Sequence, residues 1–205
     1  MFPDLLRDDV FRLETRRLWL RWPRAADAAL IASLAGERAV AEMTANIPHP
    51  YPPGAAAEFV LKARAANMGG RELVLALAPK ARPSELMGVV SLHRRGDEPP
   101  NLGYWLGKPF WSQGLMSEAA QAFLAMVFSL TDVAEIHGCA RQDNAASLRV
   151  LGKCGFRPLG SGVERAPARG GSVPVERFLL SRGREANVGA DITGADVFPP
   201  QMQTA

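Results

Sequence analysis

The sequence predicts an α+β domain built around one mixed β-sheet. Segments with strand or helix periodicity follow one another in the order strand, helices, a run of antiparallel strands, helix, strand, helix and two final strands. The 205 residues suffice for one domain with a sizeable core. Hydrophobic residues make up 47% and charged residues 22%, the balance of an ordinary globular protein.

A strand opens the domain, and helices follow it. The stretch "RRLWLRW" (16–22) alternates leucines with larger or charged residues, and a proline ends it. Asp27 is predicted to cap a helix that Gly36 follows, and a second helical piece covers 37–43.

The next segments predict a helix and a β-hairpin. After the proline-rich turn "NIPHPYPPG", residues 55–67 have helical character, and Gly69 stops them. The apolar runs 72–78 and 86–94 are separated by the turn "PKARPSE" and read as two paired strands.

The second half of the chain alternates strands and helices. A strand begins at Asn101, and a short strand covers 134–140. The strongest helix is predicted over 115–130, and a second over 144–154 ends at Gly155 in a left-handed conformation. The long helix presents apolar residues at helical spacing: Leu115, Ala119, Ala122, Phe123, Met126 and Val127.

The last elements are two strands and a tail. One strand begins at Phe156 and the other covers 173–181, with "RAPARGGS" between them as a predicted mobile loop. From Gly183 the chain has small residues and prolines, which predicts a poorly ordered tail.

Composition disfavours several classes of function. The formal net charge of +3 is small, and no Lys/Arg run with interleaved aromatics points to nucleic acid. Cys139 and Cys154 have no metal-ligand spacing, so we expect reduced thiols and no metal. No apolar run suits a signal peptide or a membrane span, which predicts a cytoplasmic protein without a membrane partner.

The stretch "FWSQGLMSEAAQAFLAMVF" joins a polar turn directly to the start of the long helix. Unpaired N–H groups at a helix start, together with Gly114, suit a phosphate group. A plain loop with Ser112 as the helix cap explains the same residues.

The stretch "RQDNAASLRVLGKCGF" places two polar residues at the start of another helix. Asn144 and Ser147 lie three residues apart and therefore share a face. They can line a site, or they can simply cap the helix.

These two stretches together resemble the GNAT superfamily of N-acyltransferases, in the branch of ribosomal-protein alanine N-acetyltransferases. "NLGYWLGKPFWSQGLMSEA" and "NAASLRVLGKCGF" carry the resemblance, and "LETRRLWLR" and "VERFLLSR" support it. The likeness covers Leu13–Arg182, so we predict tails at 1–12 and 183–205 around one acyltransferase domain over 13–182.

The resemblance implies a mostly antiparallel sheet, flanked by helices on both faces and splayed at a bulge beside the strand "GYWL". It implies acetyl-CoA as co-substrate, with pantetheine along the splayed strand, and direct attack by an amine in a ternary complex. Ser147, Asn144 and Leu106 are the implied catalytic residues: Ser147 toward the leaving thiolate, Asn144 toward the cofactor or a water, and Leu106 beside the thioester. The implied cofactor-binding residues are Tyr104, Trp105, Leu106, Trp111, Ser112, Gln113, Gly114, Leu115, Met116, Ser117, Asn144, Ser147 and Lys153.

Some positions depart from the family's pattern. Met116 is larger than the usual Gly or Ala, and Trp111 replaces a residue that is polar or basic in many relatives. Many relatives carry Glu as general base at Asn101 and Tyr as general acid at Leu151. Glu118, in the first turn of the long helix, is interpreted as structural.

An asparagine cannot take the proton of an amine, and this bears on the acceptor. An α-amino group has a pKa of about 7.7–8.0 and is roughly one-third neutral near pH 7.5, whereas a lysine amine is only about 0.1% neutral. The acceptor is therefore expected to be an α-amine, unless another base serves. The replacement candidates, each also explained as a surface or turn residue, are Glu42, His49, Glu85 and His93.

The sequence predicts an N-acetyltransferase acting on the α-amino group of a protein or peptide. A small-molecule amine acetyltransferase and a catalytically weak CoA-binding module are the alternatives. The loops "ANIPHPYPPG" and "RAPARGGS" are expected to shape the acceptor pocket, and a homodimer is compatible with this kind of fold.

Overall fold

The computed structural model describes residues 11–94, 96 and 98–184. Most of both predicted tails lies outside this range, so the domain bounds stay predictions. None of the described helices is long and apolar enough to cross a membrane. Cys139 and Cys154 are not joined in a disulfide.

Eight strands form one sheet in the order β1-β2-β3-β4-β5-β6-β8-β7. All neighbouring strands are antiparallel except β5 and β6, which are parallel. The predicted mixed, mostly antiparallel sheet is therefore confirmed. The strands are β1 Arg12–Glu14, β2 Leu18–Arg21, β3 Glu72–Pro79, β4 Gly88–His93, β5 Asn101–Leu106, β6 Glu135–Arg141, β7 Arg157–Ala166 and β8 Gly171–Ser181.

Helices cover both faces of the sheet, because alternate residues of its central strands are apolar on both sides. Val74 and Ala76 of β3 pack in one core cluster with the first and third helices. Leu75 and Leu77 pack in the other cluster with the fourth helix and Leu151 of the fifth. The helices are α1 Ala28–Ala35, α2 Arg38–Ala41, α3 Ala55–Met68, α4 Leu115–Leu130 and α5 Ala145–Lys153.

The long helix α4 has the predicted bounds, and all six of its predicted apolar positions are buried. This apolar stripe packs α4 against the sheet in the main core cluster. Gly155 follows α5 with a φ of 87°, which confirms the predicted left-handed helix end.

Asp27 occupies the predicted N-cap position of α1, but its side chain caps no N–H group of this helix. The Asp27 carboxylate instead accepts two hydrogen bonds of 2.8 Å from the Arg21 guanidinium and one of 2.7 Å from the Arg24 N–H. Arg21 is only 3% exposed, and a buried guanidinium needs a paired carboxylate more than a helix start needs a cap.

The predicted loop "RAPARGGS" is partly wrong, because β7 and β8 extend into it from both ends and leave only 167–170 between them. The connection is a short 3₁₀ turn at Pro167–Arg169, closed by Gly170 with a φ of 74°. The Ala168 N–H donates to the Ala45 carbonyl at 3.0 Å, and the Arg169 guanidinium donates to the Ile47 carbonyl. The hairpin tip is thus tied to the proline-rich segment.

Candidate active site

The sheet opens between β5 and β6. These strands pair only at Asn101 with His137 and at Leu102 with Gly138, whereas β6 pairs with β8 along its whole length. The predicted splay is therefore present. The bulge expected to cause it is absent from β5, whose register with β4 is continuous. The gap arises because β6 pairs with β8 along its whole length and pairs with β5 only at Asn101 and Leu102.

The open edge of β5 exposes main-chain hydrogen-bonding groups to the gap. On the β6 side, the Pro100 carbonyl accepts a 2.8 Å hydrogen bond from the His137 N–H, and the Leu106 carbonyl accepts one of 2.6 Å from the Trp111 indole. Alternate residues of a strand direct their N–H and C=O groups to the same side. The main-chain groups of Tyr104 and the N–H of Leu106 therefore face the gap, where an extended ligand can pair with them.

The turn before α4 has a conformation suited to an anion. Ser112 and Gly114 have φ values of 62° and 72°, and Ser112 is the one non-glycine residue with positive φ in the described chain. Gly114 is the N-cap, and no described side chain caps the helix, so the alternative in which Ser112 caps it is wrong. The first N–H groups of α4 lack acceptors within the helix and lie at the positive end of its dipole.

The turn is braced by an ion pair that the sequence analysis missed. The Arg17 guanidinium lies 2.6 Å from the Glu118 carboxylate and donates to the Gln113 carbonyl at 3.0 Å. Glu118 also accepts hydrogen bonds from the Thr15 hydroxyl and the Arg17 N–H. Burial raises the pKa of Glu118, but these hydrogen bonds and the Arg17 charge leave it below its ordinary value. No local pattern could reveal the pair, whose members are 101 residues apart.

Two hydroxyl groups meet on the α4/α5 face of the sheet. The Tyr104 hydroxyl of β5 lies 2.7 Å from the Ser147 hydroxyl of α5. Asn144 is the N-cap of α5, and its side-chain oxygen accepts a 3.0 Å hydrogen bond from the Ser147 N–H, so the capping interpretation of Asn144 is confirmed. Burial raises the pKa of Tyr104 far above neutral pH, so its phenol stays protonated and can donate.

One cavity of about 1330 Å³ passes through the gap and reaches both faces of the sheet. All the predicted site residues line it except Gln113, whose side chain donates to the Pro109 carbonyl at 3.1 Å and points elsewhere. The Met116 side chain packs into the main core cluster, which takes up its bulk. The lining residues predicted from the sequence are Tyr104, Trp105, Leu106, Trp111, Ser112, Gly114, Leu115, Met116, Ser117, Asn144, Ser147 and Lys153.

The opposite mouth of the cavity is formed by loops and side chains. The Arg141 guanidinium of β6 donates to the Glu42 carbonyl at 3.0 Å, and Arg169 of the hairpin tip donates to Ile47. Both contacts hold the segment between α2 and α3 beside Phe59 and the gap. The two loops expected to shape an acceptor pocket thus both contribute to this mouth.

Of the four candidate bases, Glu42 and His93 line the cavity, and His49 and Glu85 do not. Glu42 lines the cavity but lies 2.6 Å from Arg38, whose hydrogen bond lowers the pKa of this carboxyl. His49 contacts the Gly36 carbonyl at 2.9 Å, Glu85 pairs with Arg82, and neither belongs to the cavity lining. His93 lines the cavity directly opposite Asn101. In the described part of the chain, no group of His, Cys, Asp and Glu side chains is arranged to hold a metal ion.

A family model described as an acetyltransferase (GNAT) domain matches residues 17–157. This range contains the splayed strand, the turn before α4 and all of α5, so the match covers most of the residues that line the cavity. No curated protein matches the chain in sequence.

Several solved structures share the fold. The ribosomal-protein-S5-alanine acetyltransferase from Vibrio fischeri superposes with a TM-score of 0.72 at 17% identity, over 84% of this chain and 97% of the other. An acetyltransferase from Salmonella typhimurium that modifies the N-terminal serine of a 50S ribosomal subunit protein gives 0.70 at 20% identity, over 83% and 99%. The microcin C7 self-immunity acetyltransferase MccE, in complex with acetyl-CoA and AMP, gives 0.69 at 17% identity, over 82% and 93%.

Proposed function

The chain belongs to the GNAT acetyltransferases, and from that premise we propose that it transfers an acetyl group from acetyl-CoA to the α-amino group of a protein or peptide. The observation that carries the proposal is the single cavity in which the open edge of β5 meets the N-terminus of α4. That combination suits a ligand with an amide-containing arm and a pyrophosphate at its end.

Acetyl-CoA fits the mouth beside α4. The pyrophosphate would accept hydrogen bonds from the main chain of 112–117, where positive φ values turn successive N–H groups inward. The pantetheine amides would pair with the main-chain groups of Tyr104, which face the gap. Lys153, at the end of α5, lines the same cavity and adds a positive charge near the phosphates.

The transfer step would use Ser147 and the β5 main chain. The Leu106 N–H faces the gap and would stabilise the oxyanion that forms when the amine attacks the thioester. Ser147 would protonate the departing thiolate, because its hydroxyl lies in the cavity 2.7 Å from the protonated Tyr104 hydroxyl, which can donate a hydrogen bond to it. This hydrogen bond makes the Ser147 proton easier to give up.

The α-amino acceptor follows from the chemistry of the amine. Asn101 cannot act as a strong base, so an acceptor of low pKa has the advantage. Two of the fold neighbours are described as acting on alanine or N-terminal serine of ribosomal proteins, which supports an α-amino acceptor at this mouth.

Turnover of acetyl-CoA, measured as free thiol release, tests the proposal with matched acceptors. The panel is a peptide with a free α-amine, the same peptide N-acetylated but carrying lysine, and small primary amines. We expect the highest kcat/KM for the free α-amine. Preference for small amines would favour the small-molecule alternative. Tight CoA binding without turnover on any acceptor would favour the binding-module alternative.

A further inference from the structure

We propose that His93 and Asn101 form the amine site of this enzyme, on the opposite face of the sheet from Ser147. His93 takes the proton of the incoming amine, and the side-chain oxygen of Asn101 accepts a hydrogen bond from the same nitrogen. The inference rests on the proposed acetyl transfer and supplies the base that Asn101 cannot be.

Strand register places these residues in one polar row. Glu72, His93 and Asn101 are directly opposite one another on β3, β4 and β5, and Asn101 is opposite His137 on β6. Directly paired residues share a face of the sheet. Two residues along from Glu72, Val74 packs with α1 and α3, so the row lies on that face.

The His93 ring lies where the sheet opens. A Cβ atom at Gly103 would be 2.8 Å from Cε1 and 3.7 Å from Nδ1 of His93, so the imidazole lies over the Gly103 backbone. Gly103 is the first residue of β5 beyond the last pair with β6. The absence of a side chain at Gly103 therefore lets the ring reach the start of the gap, in the same cavity as Ser147.

Asn101 offers an acceptor at the same place. Its Oδ1 atom is buried and accepts no hydrogen bond from any residue that the structure describes. A buried carbonyl oxygen without a donor is unfavourable, which points to a ligand that brings an N–H group. Asn101 lines the cavity beside His93, so an amine bound there can donate to Asn101 and face the imidazole.

The chemistry of the step balances with these groups. The ammonium proton of the acceptor moves to an imidazole nitrogen of His93, and the freed lone pair forms the new C–N bond with the acetyl carbon. The C–S bond breaks, and the thiolate takes a proton from Ser147. The acylated nitrogen then loses its second proton, which returns to Ser147 by way of solvent, so that one proton in total remains on His93. Oxidation states do not change. The unperturbed imidazole pKa of about 6.5 is within roughly 1.5 units of an α-amine but about 4 units below lysine, so a histidine base also favours α-amines.

The rate should then depend on pH through the protonation of His93, which the surrounding charged groups influence. These groups lie in the row itself, on α3, on β6 and at the end of β4. The described charged or titratable groups in the row or in the cavity lining on this face include Glu42, Tyr51, Glu58, Lys62, Glu72, Arg94, His137, Cys139, Arg141 and Glu164.

The test compares His93→Gln with His137→Gln, the same change in the same row but outside the cavity lining. With acetyl-CoA and a saturating α-amine peptide, His93→Gln should lower kcat about 10²-fold near pH 7. The deficit should shrink above roughly pH 9, where the α-amine is neutral without a base. His137→Gln should retain the wild-type rate and profile, and both variants should bind CoA like the wild type in calorimetry.

Further measurements keep the inference falsifiable. Added imidazole should restore rate to His93→Ala, and Asn101→Leu should raise KM for the peptide without moving the pH profile. A His93→Gln deficit that is equal at every pH, or a wild-type profile, would overturn the inference while leaving acetyl transfer intact. A wild-type enzyme that acetylates no amine would overturn both.

Discussion

The two mouths of the cavity are built in different ways. At the α4 mouth the binding groups are main-chain N–H and C=O groups of β5, the turn and the helix start. At the other mouth the surface consists of side chains from α3, the segment between α2 and α3, and the β7–β8 hairpin. Main-chain groups persist under most substitutions, whereas side chains change with each one. Under the proposed function, cofactor binding would therefore depend on main-chain groups and acceptor choice on side chains.

The supports of the two mouths differ as well. At the α4 mouth, Arg17 and Glu118 form a partly buried ion pair with three further hydrogen bonds around it. At the other mouth, single guanidinium groups of Arg141 and Arg169 hold carbonyl oxygens of one segment. Damage to the first support should change cofactor affinity, and damage to the second should change only acceptor affinity.

The largest effect is expected where the two mouths meet. Ser147→Ala removes the proposed proton donor to the thiolate and should lower kcat about 10²-fold, with little change in CoA affinity. Steady-state kinetics and calorimetry check the two quantities. Ser129→Ala is the control, because this exposed serine on α4 bonds only to the Ala125 carbonyl among described residues. An unchanged kcat would remove Ser147 from the mechanism.

A charge in the turn should separate cofactor from acceptor binding. Gly114→Asp and Gly114→Asn place side chains of the same shape at a φ of 72°, and only Asp adds a negative charge at the phosphates. We expect the CoA Kd of the Asp variant to exceed that of the Asn variant by about tenfold, which corresponds to about 1.4 kcal/mol. Equal affinities would argue against pyrophosphate at this turn.

Loss of the Arg17–Glu118 ion pair should weaken CoA binding less than a charge at Gly114 does. It should also lower the stability of the fold in a pH-dependent way. Glu118→Gln should weaken CoA binding several-fold because Arg17 no longer holds the turn. The pKa of Glu118 lies below its ordinary value when folded, so its contribution to stability is present above about pH 4.3 and is lost as pH falls through the folded pKa. Urea unfolding at several pH values should show that the difference in free energy of unfolding between wild type and variant decreases in acid. A difference that is the same at every pH would contradict the ion pair.

The smallest effect is expected at the hairpin tip. Arg169→Ala removes the contact with the Ile47 carbonyl and should raise KM for the peptide acceptor a few-fold, while the CoA Kd stays the same. Arg157→Ala, at the other end of β7, is the control for loss of charge on that strand. Weaker CoA binding in the Arg169 variant would mean that the two mouths are not independent.

Local sequence patterns predicted most of the strands and helices and part of the candidate site. The bounds of α4 follow from its apolar stripe, and the strand "NLGYWL" and the Asn144 cap follow from short-range signals. The errors fall where residues distant in sequence form contacts. The Asp27 carboxylate pairs with Arg21, and the hairpin tip is hydrogen-bonded to the segment before α3. In both places a buried or tertiary contact overrides the local preference.

The sequence by itself determined the bounds of α4 and the Asn144 cap of α5, because both depend on neighbours within a few positions. Only the tertiary structure decided which groups act together. Tyr104 and Ser147 are 43 residues apart, Arg17 and Glu118 are 101 apart, and His93 reaches the gap through strand register with Asn101. Such pairs form because sheet order and helix packing bring distant parts of the backbone together. The periodicity of the sequence gives no information about which distant residues become neighbours in space.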